Sequence, residues 1–400
     1  MIGRAWAWAR RQLFSGPFDT VLTVLLLPLL GWAVYRLLRI VFVDGRWEII
    51  ERNLRLLLVS DFPVDAMWRI WTALLLIVAT VGLAVGVFRR VRADQVAEGR
   101  ARPVERGTTV RRLVPVLLLL VVLLWLAKSL TALLMTLLGA ALFVLARQLG
   151  YRLLPARFAS ITVAAALLAP FGGLALVAGF GGVPWTEWGG LMLTLTLTLL
   201  GITLAFPLGA LLAFGRRSRM PVIRYCSIGY IELVRGVPLV TLLFMGYFVI
   251  GFLLPPGMGR LNEIARVLAA LVIFTSAYIA EILRGGLQAV PRGQVEAAHA
   301  LGLSAFSTTR LIVLPQALRA VIPALVGQFI SLFKDTSLVY VVGMSELLRI
   351  SESITKQPDF AFGGYIAETL MFAGFLYWVG SYTMSRESQR LERRLGVGER

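Results

Sequence analysis

Two Glu–Arg pairs spaced three residues apart, Glu232 with Arg235 and Glu281 with Arg284, are the first groups in this chain placed to do chemistry. On an exposed helix such neighbours attract by about 0.2–0.5 kcal/mol. Each pair therefore reads either as a structural ion pair at a helix end or as part of a gate. Lys334 and Asp335 differ, because they interrupt an apolar run, and charges inside a membrane span face the interior of a bundle. A structural ion pair and a place along a translocation path are both open for them. His299 is the only histidine and Cys226 the only cysteine. One of each leaves neither a Cys/His zinc site nor a disulfide framework. Cys226 reads as a small buried hydrophobe and His299 as a face residue of a short helix. The apolar runs contain single, scattered acids, with no carboxylate pair, His/Glu cluster or Ser/Lys dyad, so an intramembrane enzyme is excluded. No GxxxxGK[ST] phosphate loop occurs anywhere in the chain.

The elements that must hold these residues are membrane helices. Of 400 residues 58% are apolar and only 16% charged, whereas a soluble chain is about a quarter charged. At ~20 residues per spanning helix the apolar content caps the chain near ~11 crossings. The net charge of +18 is carried by arginine, since lysine occurs only at 128, 334 and 356. The arginines cluster between apolar runs, which marks cytoplasmic loops rather than a nucleic-acid surface. Arg4, Arg10 and Arg11 precede an uncleaved anchor over 20–43. An outside loop, 44–69, of mixed charge and with Trp47 and Trp68, is expected to contain a surface helix. A span over 70–88 leads to a basic inside loop, 89–112. The run 113–146, interrupted only by Lys128–Ser129, would measure ~51 Å as one helix against ~30 Å of hydrocarbon. Two short crossings, a re-entrant hairpin and one tilted helix all remain open there. After a span over 158–180 and a turn anchored by Trp185 and Trp188, five runs follow: 190–214, 221–254 with a kink at Gly236-Val237-Pro238, 262–283, 311–342 and 364–384. The expected fold is an all-α polytopic membrane protein of about 8–10 spans, with both termini cytoplasmic. It divides into an N-terminal extension, 1–187, and a second half, 188–395.

The segment 284–315 carries the functional information. Pro291 and Gly293 break the preceding helix, Gln294 to Leu301 is a good helix-forming octet with small Ala297, Ala298 and Ala300, and Gly302 stands where a helix end favours a left-handed residue. A polar connector, 304–309, leads to re-entry at Leu311. A short helix thus lies outside the bilayer, and its apolar Val295, Ala298 and Leu303 need cover.

Glu296-Ala297-Ala298, three residues, Gly302, nine residues and Ile312-Val313-Leu314-Pro315 resemble the EAA signature of ABC-importer permeases at every fixed position. The surroundings are similar to the polar amino-acid importers: Ala277-Tyr278-Ile279-Ala280-Glu281, Arg284-Gly285-Gly286-Leu287, Pro291, Gly293-Gln294, Glu232 to Pro238, and Lys334 to Leu338. The likeness covers about residues 188–395. The long extension with its outside loop resembles the larger permease subunit of general L-amino-acid importers.

The resemblance implies a type I ABC-importer permease core of five helices in the bacterial inner membrane, working by alternating access. It implies coupling to an ATPase through Gly293, Gln294, Glu296, Ala297, Ala298, Gly302 and Leu303. Lys334, Asp335, Glu281 and Arg284 are candidate pathway or gate residues. ATP and Mg²⁺ would be held by a cytoplasmic ATPase, in two copies, and no cofactor by this chain. The other expected partners are a second, related permease, a periplasmic amino-acid-binding protein and membrane lipid. A non-transporting membrane scaffold or channel is the alternative, and it would not require the full EAA spacing.

Overall fold

The computed structural model describes residues 12–99, 130–179, 181–250 and 262–395. Outside them lie Arg4, Arg10 and Arg11, the remainder of the basic loop from Arg100, the first half of the 113–146 run with Lys128–Ser129, and the end of the 221–254 run. The described residues form helices joined by turns and short loops, with one isolated backbone bridge between Gly190 and Glu346. Among the described residues seven helices are long and apolar enough to cross a membrane, and an eighth crossing arises if one sharply bent pair counts as a single span.

The first half contains α1 (Pro17–Arg39), α2 (Glu48–Val59), α3 (Met67–Ala97), α4 (Leu130–Arg152) and α5 (Ala159–Ala178). No residue of α1 is buried, although its mean hydropathy of 2.0 falls within the 1.5–2.4 range of the spans. Helix α3 packs along both α4 and α5. Lipid tails are as apolar as leucine, so such pairs associate through close backbone contact at small residues. A Cβ on Gly86 would lie 2.3 Å from the Arg147 carbonyl oxygen, and one on Gly150 2.5 Å from that of Leu83. The basic loop expected from residue 89 begins as helix instead. Arg89, Arg90 and Arg92 continue α3, because no breaker intervenes before Gly99, which adopts φ +71°.

Helix α2 departs from the expected headgroup-lying surface helix. Its apolar face, Ile49, Ile50 and Leu57, is buried with Leu347, Ile350, Ile354 and Phe360 from the far end of the chain. At about 1.5–3 kcal/mol per buried side chain, this contact ties the extension to the second half.

The second half contains α6 (Gly190–Arg216), α7 (Pro221–Gly236), α8 (Leu239–Phe244, continued by a π-helical turn Met245–Val249), α9 (Glu263–Ala289), α10 (Arg292–Ala300), α11 (Ala305–Thr308), α12 (Leu314–Asp335, continued by a 3₁₀ turn Thr336–Val342), α13 (Leu347–Ser353) and α14 (Ile366–Leu395). The expected kink after Gly236 is a break of 106° between α7 and α8. Pro238 can donate no hydrogen bond and forces Val237 into extended backbone. Helix α9 forms the centre, against α6 on one side and α12 on the other. Asn262 caps it by accepting from the Ala265 N–H at 2.9 Å. Helix α14, expected as the last crossing, carries Glu368 in its first turn and is less apolar than the seven.

Three local expectations fail for want of tertiary information. Cys226 is exposed on α7 rather than buried. Trp188 is buried rather than interfacial, stacked on Trp185 at 5.4 Å with its Nε1–H donated to the Val183 carbonyl. Glu232 pairs with Arg216 and not with Arg235.

Candidate functional site

The α10 segment stands out from the bundle. Helix α9 runs through Arg284, Gly285 and Gly286 to Ala289, Pro291 ends it, and α10 follows over nine residues. Its end is a Schellman motif. The Gly302 N–H donates to His299 O at 2.9 Å and the Leu303 N–H to Ala298 O at 3.1 Å, with Gly302 at φ +77°. Ser304 then caps α11. Only one face of α10 is covered: Ala298 is buried, and Val295 packs against a small cluster of Leu287, Val313 and Ala317. Gly293, Gln294, Glu296, Ala297, His299 and Gly302 are exposed, and Leu303 is half-buried. The neighbouring Leu301 and Phe306 expose 82% and 73% of their surfaces. One face of the helix is seated on its own bundle, and bare apolar side chains rim the exposed remainder.

At the same end of the bundle the charged side chains form one network. The Arg216 guanidinium on α6 lies 3.1 Å from Glu232 on α7 and 3.2 Å from Glu281 on α9. Arg284 donates its Nε–H to Glu281 at 2.8 Å and also reaches Gln288 at 2.7 Å. Arg235, freed from Glu232, sits over the Tyr278 ring at 5.5 Å. The expected Glu281–Arg284 pair is thus present and extended. Nothing local marks Arg216 as its bridge, since with Arg217 and Arg219 that arginine reads as one of a basic cluster.

Lys334 and Asp335 lie at the opposite end of the bundle, where α12 tightens into its 3₁₀ turn. No salt bridge joins them; Lys334 is exposed and Asp335 half-buried. Of the two readings open for them, the ion pair is absent. Close by is a group that sequence reasoning missed. Glu346 is fully buried at the N-cap of α13, and its carboxylate accepts from the Leu348 and Arg349 N–H groups, each at 2.8 Å, and from the Tyr377 hydroxyl at 3.0 Å. Burial pushes its pKa up to about 7, against the opposing pull of those donors. It escaped notice because a Glu in a loop between spans reads as solvated. Among the described residues no group of His, Cys, Asp or Glu is arranged to hold a metal ion.

Residues 205–396 match the family model described as the binding-protein-dependent transport system inner membrane component. Over 97% of its length the chain is 35% identical to the glutamate/glutamine/aspartate/asparagine transport system permease protein BztC of Rhodobacter capsulatus, covering 93% of that protein. It is 46% identical over 212 residues to the inner membrane amino-acid ABC transporter permease protein YhdY of Escherichia coli, and there it spans 57% of the relative's length. A crystal structure of an amino acid ABC transporter with histidines is 33% identical over 50% of this chain and 90% of its own, with a TM-score of 0.45. The chain belongs to the amino-acid ABC transporter permeases, polytopic all-helical components of the inner membrane.

Proposed function

We propose that this chain is a permease subunit of an ATP-driven importer of polar L-amino acids, and that α10 is its coupling helix. The single observation that supports the coupling role is the exposure of α10: Gly293, Gln294, Glu296, Ala297 and Gly302 face outward while Ala298 anchors the helix to the bundle. Seated in a groove of a cytoplasmic ATPase, in two copies, such a peg transmits their ATP-driven approach to the membrane helices. Rigid-body rocking then exchanges inward-facing and outward-facing states. ATP and Mg²⁺ belong to that partner, since this chain has no phosphate loop.

In this reading the basic ends of the helices, α10 and both termini are cytoplasmic, as the arginine distribution requires. The Arg216–Glu232–Glu281–Arg284 network then braces the inner end of the path, and Lys334 and Asp335 line its outer end. Five core helices cannot enclose a path alone. A second, related permease completes it, and a periplasmic binding protein delivers the amino acid. The name of the relative matched over nearly the whole chain supports glutamate, glutamine, aspartate and asparagine as the substrate class.

Co-expression with candidate ATPase and permease partners, followed by reconstitution, tests the proposal. The expected result is co-purification of the ATPase and ATP-dependent uptake of those four labelled amino acids when the binding protein is supplied. An ATPase that never associates, or uptake indifferent to ATP, would return the chain to the scaffold or channel reading.

A further inference from the structure

Glu346 sits where four elements meet. The backbone around it joins α6, the Gly190 N–H donating to Ser345 O at 2.8 Å and the Leu347 N–H reaching Thr194 Oγ1 at 3.5 Å. Tyr377 comes from α14, and the fully buried Thr194 and Thr336 border its hydroxyl. The carboxylate therefore has three donors but no salt bridge to any described cation.

No charged group on the surrounding elements forms a salt bridge with Glu346. Helix α6 has none before Arg216 at its other end. On α14, Glu368 accepts from the Arg46 N–H at 3.2 Å. On α13 itself, Arg349 stacks over Tyr340 at 5.6 Å and attracts Glu346 only from beyond ion-pair distance, and Glu352 holds Tyr340 and Lys356. On α2, Arg52 pairs with Glu48 and Arg55 donates to Phe62 O, while Glu51 is engaged as well. On α12, Lys334 and Asp335 complete the set.

A buried carboxyl without a counter-cation favours the neutral form. Exposing it to water removes that preference, so protonation and packing of the 343–353 segment are linked. We propose that Glu346 is a proton-sensitive positioning residue at this end of the bundle, neutral while residues 343–353 pack on α6 and α14 and ionised when that segment opens to water. The elevated pKa of the packed form agrees in sign: acid holds the segment shut, and opening becomes progressively easier as pH rises through about 7. As a step of transport this rests on the importer reading, because it places the switch beside Lys334 and Asp335.

The test uses the detergent-solubilised complex carrying Met344→Cys, a position buried in the packed segment, with the exposed Cys226 as internal reference. The readout is the maleimide labelling rate at 344 relative to that at 226. Between pH 6 and 8 the ionised fraction of a group titrating near 7 rises from about a tenth to about nine-tenths. The relative rate is expected to rise by roughly tenfold with Glu346 and to stay flat in the Glu346→Gln protein. A flat ratio with Glu346 in place, or an equal rise in the Gln variant, overturns the proposal. The measurement needs no transport, so a complex that labels as expected yet takes up no amino acid sinks the importer reading and leaves the switch standing.

Discussion

Arg216 and Glu281 lie 65 positions apart in sequence and meet at 3.2 Å, where the ends of α6 and α9 come together. The same guanidinium group reaches Glu232 at 3.1 Å, so one arginine pins three helices. Arg216 and Glu281 are each about a quarter exposed or less, at 24% and 21%. The pair is therefore partly desolvated, so its attraction is screened less than that of a surface salt bridge while desolvation offsets part of the gain.

A double-mutant cycle with Arg216→Gln and Glu281→Gln measures this directly. We expect a coupling free energy of about 1 kcal/mol in denaturant titration of the purified complex. Arg235→Gln, which removes a contact with Tyr278 and a longer-range attraction to Glu281, is expected to show no coupling to Glu232. Additivity between Arg216 and Glu281 would remove the network from the account.

Gly302 closes the Schellman turn at φ +77° with open space around it. Replacing it with Asp puts a Cβ and a negative charge on the exposed tip of α10. Uptake is expected to fall by at least about tenfold, equivalent to roughly 1.4 kcal/mol of lost docking, while membrane insertion stays normal by fractionation. Asn at the same position tolerates the left-handed backbone without adding charge and is expected to retain more activity. Normal transport by the Asp variant would contradict docking through this tip.

Gly150 faces the α3 backbone so closely that a Cβ would lie 2.5 Å from Leu83 O. Gly150→Val must therefore push α4 off α3. The expected cost is about 1–3 kcal/mol, as for overpacked cores, read as earlier unfolding of the complex. Gly285→Ala, whose Cβ meets nothing within 4 Å, serves as the unperturbed control.

The carboxyl of Glu346 predicts a pH dependence of stability. Its pKa is about 7 in the folded chain against an ordinary 4.5, so the folded state binds the proton more tightly. That contribution is fully present below about pH 4.5 and is lost as pH rises to about 7. The loss approaches roughly 3 kcal/mol at ~1.4 kcal/mol per pKa unit. Thermal unfolding of the complex should fall across this window with Glu346 present and fall distinctly less in Glu346→Gln. Parallel curves for the two proteins would show that burial does not raise this group's pKa.

Composition and arginine placement determined by themselves that the chain is a polytopic helical membrane protein, because a span must satisfy its backbone internally and announces itself as an apolar run. Pro291 and Gly302 likewise determined α10 and its left-handed end, although the helix starts at Arg292 and takes in Gly293, since helix stops and starts are local chemistry. Which charges meet was decided only in three dimensions. Helical spacing suggested Arg235 for Glu232, yet the crossing of α6 with α7 and α9 delivers Arg216. The burial of Trp188, α2 and Glu346 was illegible for the same reason: each is covered by residues distant in sequence, and local patterns carry no information about what packs against them.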